Sequence, residues 1–89
     1  LKKIIGSWKG NHLGYDYYVT ITESKVTYIR YYDDQWVGEL RDSDSYKLKY
    51  SSYSGWYYTR FGKDLKIIRT GNVLKFEFYD VWKRTIKMH

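Results

Sequence analysis

Few side chains in this sequence have the types and spacing that chemistry requires. The chain has no cysteine, and its two histidines, His12 and His89, lie far apart in the sequence. His12 follows Gly-Asn and precedes Leu-Gly, where we expect a solvated loop residue rather than an acid–base group or a metal ligand. Asp33-Asp34 and Asp42-Ser43-Asp44 offer oxygen ligands, but neither has EF-hand spacing, and turn chemistry accounts for both.

Signatures of catalysis are also missing. The sequence contains no P-loop, no nucleophile elbow, no H-E-x-x-H and no G-x-G-x-x-G. We therefore predict a protein that is not an enzyme and that uses no metal or cofactor. Recognition of a ligand or a partner is the remaining class of function.

The aromatic content supports a binding role. Aromatic residues make up 21% of the 89 residues, and 12 of them are tyrosines. A chain of this length has a thin core, which a few large rings can fill because each buries about 150–250 Å². Twelve tyrosines exceed what one small interior can hold, so several must lie at the surface. Tyrosine and tryptophan dominate the hot spots of protein interfaces, which favours a binding module.

The net charge of +6 is unevenly distributed. Residues 1–46 hold six Lys/Arg and seven Asp/Glu, whereas residues 47–89 hold ten and three. A basic half attracts polyanions, so we expect weak, non-specific binding to nucleic acid, anionic glycans or lipid head groups.

The apolar pattern is that of strands and turns. No stretch of helical length has apolar residues at a 3.6-residue period, and short runs rich in Tyr, Val, Ile, Thr and Trp alternate with Gly, Asn, Asp and Ser. Asp33-Asp34, Gly62-Lys63-Asp64 and Gly71-Asn72 predict tight turns. The predicted strands are Ile5–Gly10, Tyr15–Thr22, Lys25–Tyr32, Gln35–Leu40, Tyr46–Tyr53, Trp56–Phe61, Leu65–Thr70, Val73–Tyr79 and Val81–Met88.

These elements predict one all-β domain over residues 1–89. Its fold is expected to be an antiparallel up-and-down meander of eight or nine short strands, closed or nearly closed into a barrel, since closure removes exposed edges. No proline or linker marks a boundary, and no signal peptide or transmembrane segment is expected. The absence of cysteine fits a reducing cytoplasm and an exported bacterial domain equally, which leaves the compartment open.

The two ends of the chain carry a family pattern. Gly6-Ser7-Trp8 matches the G-x-W with which lipocalins and related calycin barrels begin, and Lys83-Arg84 lies in the last strand. The chain thus resembles a lipocalin-like domain. The resemblance implies a barrel in which Arg84 packs across the ring of Trp8, a cation–π contact that joins the first and last strands. With about six residues per strand the walls are only about 20 Å tall, so any cavity is expected to be small.

Strand parity supplies two sets of candidate site residues. The first set consists of inward positions that could line an apolar ligand site and could equally form a packed core. It includes Trp36, Tyr46, Tyr50, Phe76 and Phe78. Candidates for surface recognition are Trp56, Tyr57, Tyr58, Lys47, Lys49, Lys66 and Lys75. The leading hypothesis is a binding module for a small apolar molecule or for a protein. The alternative is a nucleic-acid-binding domain, in which bases stack on exposed tyrosines beside the lysines.

Overall fold

The computed structural model describes residues 3–32 and 39–89 and confirms the all-β prediction. These residues form nine strands and no helix. Most strand bounds agree with the predicted ones to within about two residues, and the central part of the chain differs. The strands are β1 Gly6–His12, β2 Tyr15–Ile21, β3 Lys25–Tyr32, β4 Glu39–Lys47, β5 Lys49–Ser51, β6 Gly55–Arg60, β7 Lys63–Thr70, β8 Val73–Tyr79 and β9 Lys83–Met88.

The strands form two sheets in sequence order. One sheet has the order β1-β2-β3-β4 and the other β5-β6-β7-β8-β9, and all neighbouring strands pair antiparallel. The chain reverses direction at each connection except the one between β4 and β5, which are not paired with each other and lie in different sheets. The turns at residues 13–14, 61–62 and 80–82 therefore lie at one end, which we call the turn end. The connections at residues 22–24, 52–54 and 71–72 lie at the opposite end.

Turn chemistry was partly misassigned from sequence. Gly71-Asn72 forms a two-residue turn as predicted, but the turn before β7 is Phe61-Gly62 rather than Gly62–Asp64. Both residues of that turn have positive φ, at 52° and 71°. The predicted turn at 42–44 is wrong, because β4 runs through these residues and pairs with β3. There the Asp44 carboxylate accepts the Ser45 N–H at 2.8 Å without interrupting the strand.

The change of sheet occurs at Leu48. This side chain is buried, and its N–H donates to the carbonyl of Ser24 at 2.9 Å. The chain therefore turns a corner between β4 and β5, where one strand over Tyr46–Tyr53 was predicted. The predicted strand Gln35–Leu40 lies outside the described residues over 35–38, and its last two residues begin β4.

The two sheets meet where β1 approaches the C-terminal residue. The Lys9 N–H donates to the His89 carbonyl at 3.0 Å, and the His89 N–H donates to the Lys9 carbonyl at 2.8 Å. This reciprocal pair is the pattern of an antiparallel ladder. A Cβ on Gly10 would lie 2.5 Å from the Lys87 carbonyl oxygen, so glycine permits the close approach of β1 to β9.

Strand β7 is shared between two ladders. Its first half pairs with β6 through Lys66, and its second half pairs with β8 from Ile67 onward. At the division the Glu77 carboxylate accepts the Lys66 N–H at 2.7 Å, and the Glu77 carbonyl accepts the Tyr58 hydroxyl at 2.5 Å. Side chains thus replace ladder bonds, and the sheet can bend without leaving these groups unsatisfied.

Aromatic rings fill the interior. Phe78 is the central ring, with centroids 4.9 Å from Tyr28 and 5.4 Å from Tyr17 in edge-to-face geometry, while Phe76 stacks on Tyr58 at 5.2 Å. Such pairs are stabilising beyond the area that they bury. All five rings are fully buried, and burial raises the pKa of the Tyr58 hydroxyl. The prediction that Tyr58 serves surface recognition is therefore wrong, since Tyr58 lies on the face of β6 that points into the core.

Candidate binding sites

An apolar cleft lies at the end opposite the turn end. Its walls include Trp56 of β6, Ile67 and Ile68 of β7, and Ile4 of the segment before β1. The cleft has a volume of about 330 Å³. We call it the Trp56 cleft. Its size falls at the lower limit of small-molecule sites, which are about 300–1,000 Å³ and mostly apolar.

Local structure positions Trp56 in this cleft. The ring packs against the core on one side and lies 4.6 Å from the Tyr50 ring, its cross-strand partner in β5. Gly55 begins β6 with a φ of +79° and leaves open space where a Cβ would stand. Tyr50 was predicted to point inward, but its side chain is 60% exposed. The reason is that β5 is a three-residue strand at the end of its sheet, so Trp56 covers Tyr50 on one side only.

Two cations border the Trp56 cleft. Lys3 and Arg69 both line it, and the Arg69 guanidinium lies 5.3 Å from the ring of Trp8. Arg69 also donates to the carbonyls of Gly71 at 2.9 Å and Lys3 at 2.6 Å. These bonds hold the arginine in place and keep its positive charge beside the apolar walls.

The predicted pairing of Trp8 with Arg84 is wrong. Arg69 covers Trp8, whereas Arg84 lies 5.5 Å from the Trp82 ring and binds Asp80. The register between the first and last strands explains the difference. Lys9, the neighbour of Trp8, lies opposite His89, and Arg84 lies about five residues from His89 toward the turn end, beyond the reach of Trp8. Trp8 itself is partly buried, and its indole N–H donates to the Ile4 carbonyl at 2.9 Å.

Sequence reasoning missed a group of arginines beneath the turn end. The guanidinium carbons of Arg30 and Arg60 lie 5.4 and 5.1 Å from the Phe78 ring, and Arg84 is the cross-strand partner of Phe78. Asp80 accepts from Arg84 at 2.8 Å and from Arg30 at 3.1 Å. A detectable signal existed, because Arg30 and Arg60 each follow an inward tyrosine by two residues and therefore share its face of the strand.

These arginines determine the ionisation of Asp80. Burial alone would raise its pKa, but the hydrogen bonds and charge of Arg84, the Val81 N–H and Arg30 outweigh burial and lower the pKa to about 2. The carboxylate is therefore charged in the folded protein throughout the neutral and mildly acidic range.

The lowered pKa predicts acid sensitivity. Because the folded value is depressed, the carboxylate contributes stability above the ordinary pKa of about 4, and this contribution is lost as pH falls toward 2. We expect the free energy of unfolding of the wild type to exceed that of Asp80→Asn most clearly near neutral pH. Urea titrations of both proteins between pH 7 and pH 2 should show the difference shrinking below about pH 4. A constant difference across that range would contradict the assigned pKa.

Of the remaining predicted ligand-lining residues, the three that the structure describes do not line a common cavity. Phe76 and Phe78 are core residues, and Tyr46 is partly buried with its ring 5.2 Å from Tyr58. Trp36 lies outside the described residues. The predicted set thus combines core rings with the exposed Tyr50, and a packed core explains it better than a binding cavity.

Some of the predicted surface residues do come together. Tyr57 is partly buried and lies between Lys49 and Lys66 in the register of β5, β6 and β7. Lys66 is exposed, whereas Lys49 is partly buried and donates to the Thr59 hydroxyl at 3.2 Å. Exposed Lys47 and Lys75 are not part of this row, since they lie on β4 and β8, and Lys75 pairs with Ile68, two residues along β7 from Lys66.

Neither a metal cluster nor a membrane-spanning helix is found in the described part of the chain. No group of three or more His, Cys, Asp or Glu side chains there could hold a metal ion. Residues 3–32 and 39–89 likewise contain no helix long and apolar enough to cross a bilayer.

The fold and the surfaces described above define a small all-β protein with a filled aromatic interior, an open apolar cleft and a group of partly buried arginines. Comparison with known proteins finds no matching family model, curated protein or solved structure.

Proposed function

We propose that this chain is a non-enzymatic binding module and that the Trp56 cleft receives an apolar group of its ligand. That group belongs either to a small molecule or to a side chain of a protein partner. The observation that carries the proposal is the cleft itself, where an indole and three isoleucines border an open space of about 330 Å³.

The interior is a weaker candidate for the binding site. Tyr17, Tyr28, Tyr58, Phe76 and Phe78 are fully buried and contact one another through their rings. A ligand that entered there would have to displace rings that already contact one another, because close-packed interiors contain few voids. The Trp56 cleft needs no such displacement.

The charge at the rim restricts the ligand further. Among the described residues, the ionisable ones that line the cleft are Lys3 and Arg69, and both are cationic. A ligand with an apolar body and a negative group can bury the body against Trp56 and place its charge near these side chains. Apolar anions are therefore favoured over apolar cations.

Binding of 8-anilinonaphthalene-1-sulfonate tests this proposal, because the dye combines aromatic rings with a sulfonate. We expect saturable fluorescence enhancement with the folded protein. Replacement of Ile68 by Glu should weaken the affinity by about tenfold, equivalent to about 1.4 kcal/mol, since it adds negative charge at the wall. Ile68 is 46% exposed, so this change should spare the core.

Two further variants locate the dye. Trp56→Ala should also weaken binding, and circular dichroism should show that the variant remains folded. Trp82→Ser changes an exposed indole at the turn end and should leave the affinity unchanged. Affinity that falls in Trp82→Ser but persists in Ile68→Glu would place the dye elsewhere and refute the cleft as the site.

A nucleic-acid-binding function is the second candidate. The row Lys49, Tyr57 and Lys66 supports it, because an aromatic ring flanked by cations is the basic unit of single-strand binding. The row contains only one ring, and that ring is partly buried. It therefore ranks below the cleft.

The proposal includes a barrel-like, lipocalin-like architecture. The reciprocal hydrogen bonds of Lys9 and His89 support closure between the first and last strands. Trp8 at the G-x-W position carries a stacked cation, which is the type of contact that the resemblance implies, although the cation is Arg69.

A further inference from the structure

The turn end carries exposed apolar side chains on each of its three described turns. Leu13, Phe61, Val81 and Trp82 are 72%, 68%, 74% and 60% exposed. Isolated exposed apolar residues are common on protein surfaces, but apolar residues grouped on one surface indicate an interaction site. These four residues are hereafter the apolar tips.

Side-chain contacts show that the three turns are adjacent. Phe61 lies 6.3 Å from Tyr79, which immediately precedes the turn at 80–82. On the other side, Asp80 binds Arg30, and the Arg30 guanidinium lies 4.7 Å from the ring of Tyr15, the residue after the turn at 13–14. The apolar tips therefore share one end of the molecule.

Backbone conformation gives independent support for a function at two of the tips. Leu13 and Phe61 have φ values of 50° and 52°, a left-handed conformation that costs a branched or bulky residue free energy. Asparagine or glycine would fit either position with less strain. Because both side chains are mostly exposed, they bury little apolar area to offset this strain, and their presence at both turns points to another role.

Cations flank the tips in the sequence and in space. Arg60 and Lys63 enclose the Phe61 turn, and Lys83 follows Trp82. Lys63 is exposed, with its ammonium 6.0 Å from the Tyr79 ring, and the side chain of Lys83 is 55% exposed, with its ammonium 3.9 Å from Glu77. The turn end thus combines protruding apolar groups with lysines just behind them.

We propose that the turn end docks on an anionic lipid surface. The apolar tips enter the interfacial layer of the bilayer, and Lys63 and Lys83 contact anionic head groups. A tryptophan at the interface and cations behind an apolar surface are the features of peripheral membrane binding. Lysine is depleted at protein interfaces, and a bilayer accepts protruding side chains without matching pockets, so lipid is favoured over a protein partner.

Vesicle sedimentation tests the proposal with a variant designed to remain folded. The triple variant Leu13→Asn, Phe61→Asn, Trp82→Ser removes three apolar tips, and asparagine relieves the strain at the two positive-φ positions. We expect the wild type to bind phosphatidylcholine vesicles that contain phosphatidylserine. The triple variant should partition at least about tenfold less, because the buried apolar area is lost. Its melting temperature should not fall.

Two controls separate the contributions. Tyr53→Ser removes a 98% exposed tyrosine at the opposite end and should leave vesicle binding unchanged. The double variant Lys63→Gln, Lys83→Gln should weaken binding only to vesicles that contain phosphatidylserine. The proposal would be overturned if the triple variant bound vesicles as well as the wild type does. It would also be overturned if the wild type did not bind anionic vesicles, and that result would leave a protein as the partner of the apolar tips. Neither result bears on dye binding in the Trp56 cleft.

Discussion

Replacing Phe78 with alanine is expected to lower the free energy of unfolding by about 3–5 kcal/mol, the range for truncation of a large core aromatic. The ring is fully buried and makes edge-to-face contacts with Tyr17 and Tyr28. It also lies beneath the guanidinium groups of Arg30 and Arg60. Its removal would leave a cavity beneath charged groups that lose part of their packing. Denaturant titration in urea measures the change.

The control for this prediction is Phe78→Leu. Leucine retains most of the apolar volume but removes the ring face that the two arginines contact. We therefore expect an intermediate loss of stability, smaller than that of Phe78→Ala. If both variants unfolded at the wild-type denaturant concentration, Phe78 would not be the central ring of the core.

The alternating strands were the most predictable part of this fold. In β8, Leu74, Phe76 and Phe78 alternate with Lys75 and Glu77, and the structure buries the first three as parity requires. Local pattern is sufficient here because a strand with one buried face shows its orientation in a period of two. The bounds of β3 and β8 also match the prediction.

Parity could not assign strands that are apolar on both faces. Trp56, Tyr57 and Tyr58 are consecutive aromatics, and either face of β6 could have been the inner one. The structure buries Tyr58, because its ring stacks on Phe76 and its hydroxyl donates to the Glu77 carbonyl. That acceptor lies in another strand, so no local pattern in β6 could indicate it.

The binding sites depended on long-range geometry. The Trp56 cleft joins residues from the chain start, β6 and β7, and Arg69 replaced Arg84 over Trp8 because of the register between β1 and the end of the chain. Register across a contact between the first and last strands is set by packing of the whole fold, which the sequence of either strand alone does not reveal.

The contact between the first and last strands is itself open to a direct test through Gly10. The alanine Cβ in a Gly10→Ala variant would lie 2.5 Å from the Lys87 carbonyl oxygen and 3.3 Å from Cγ2 of Ile86. Because the first of these neighbours is backbone, it cannot move aside without displacing β9. We expect the free energy of unfolding to fall by about 1–3 kcal/mol, the range for overpacking in a close-packed structure.

Amide hydrogen exchange distinguishes an opened contact between the strands from general loosening. The N–H groups of Lys9 and His89 donate across the contact, so in Gly10→Ala they should exchange faster by a larger factor than the N–H of Tyr28 in the core. Gly14→Asn serves as the control, since a Cβ there meets nothing within 4 Å and asparagine tolerates its φ of +80°. It should leave both amides protected. The contradicting result would be a Gly10→Ala variant of wild-type stability in which the amides of Lys9 and His89 remain protected. In that case β1 and β9 would not be held together as the hydrogen bonds indicate. The proposed closure of the two sheets into one barrel would then lose its main support.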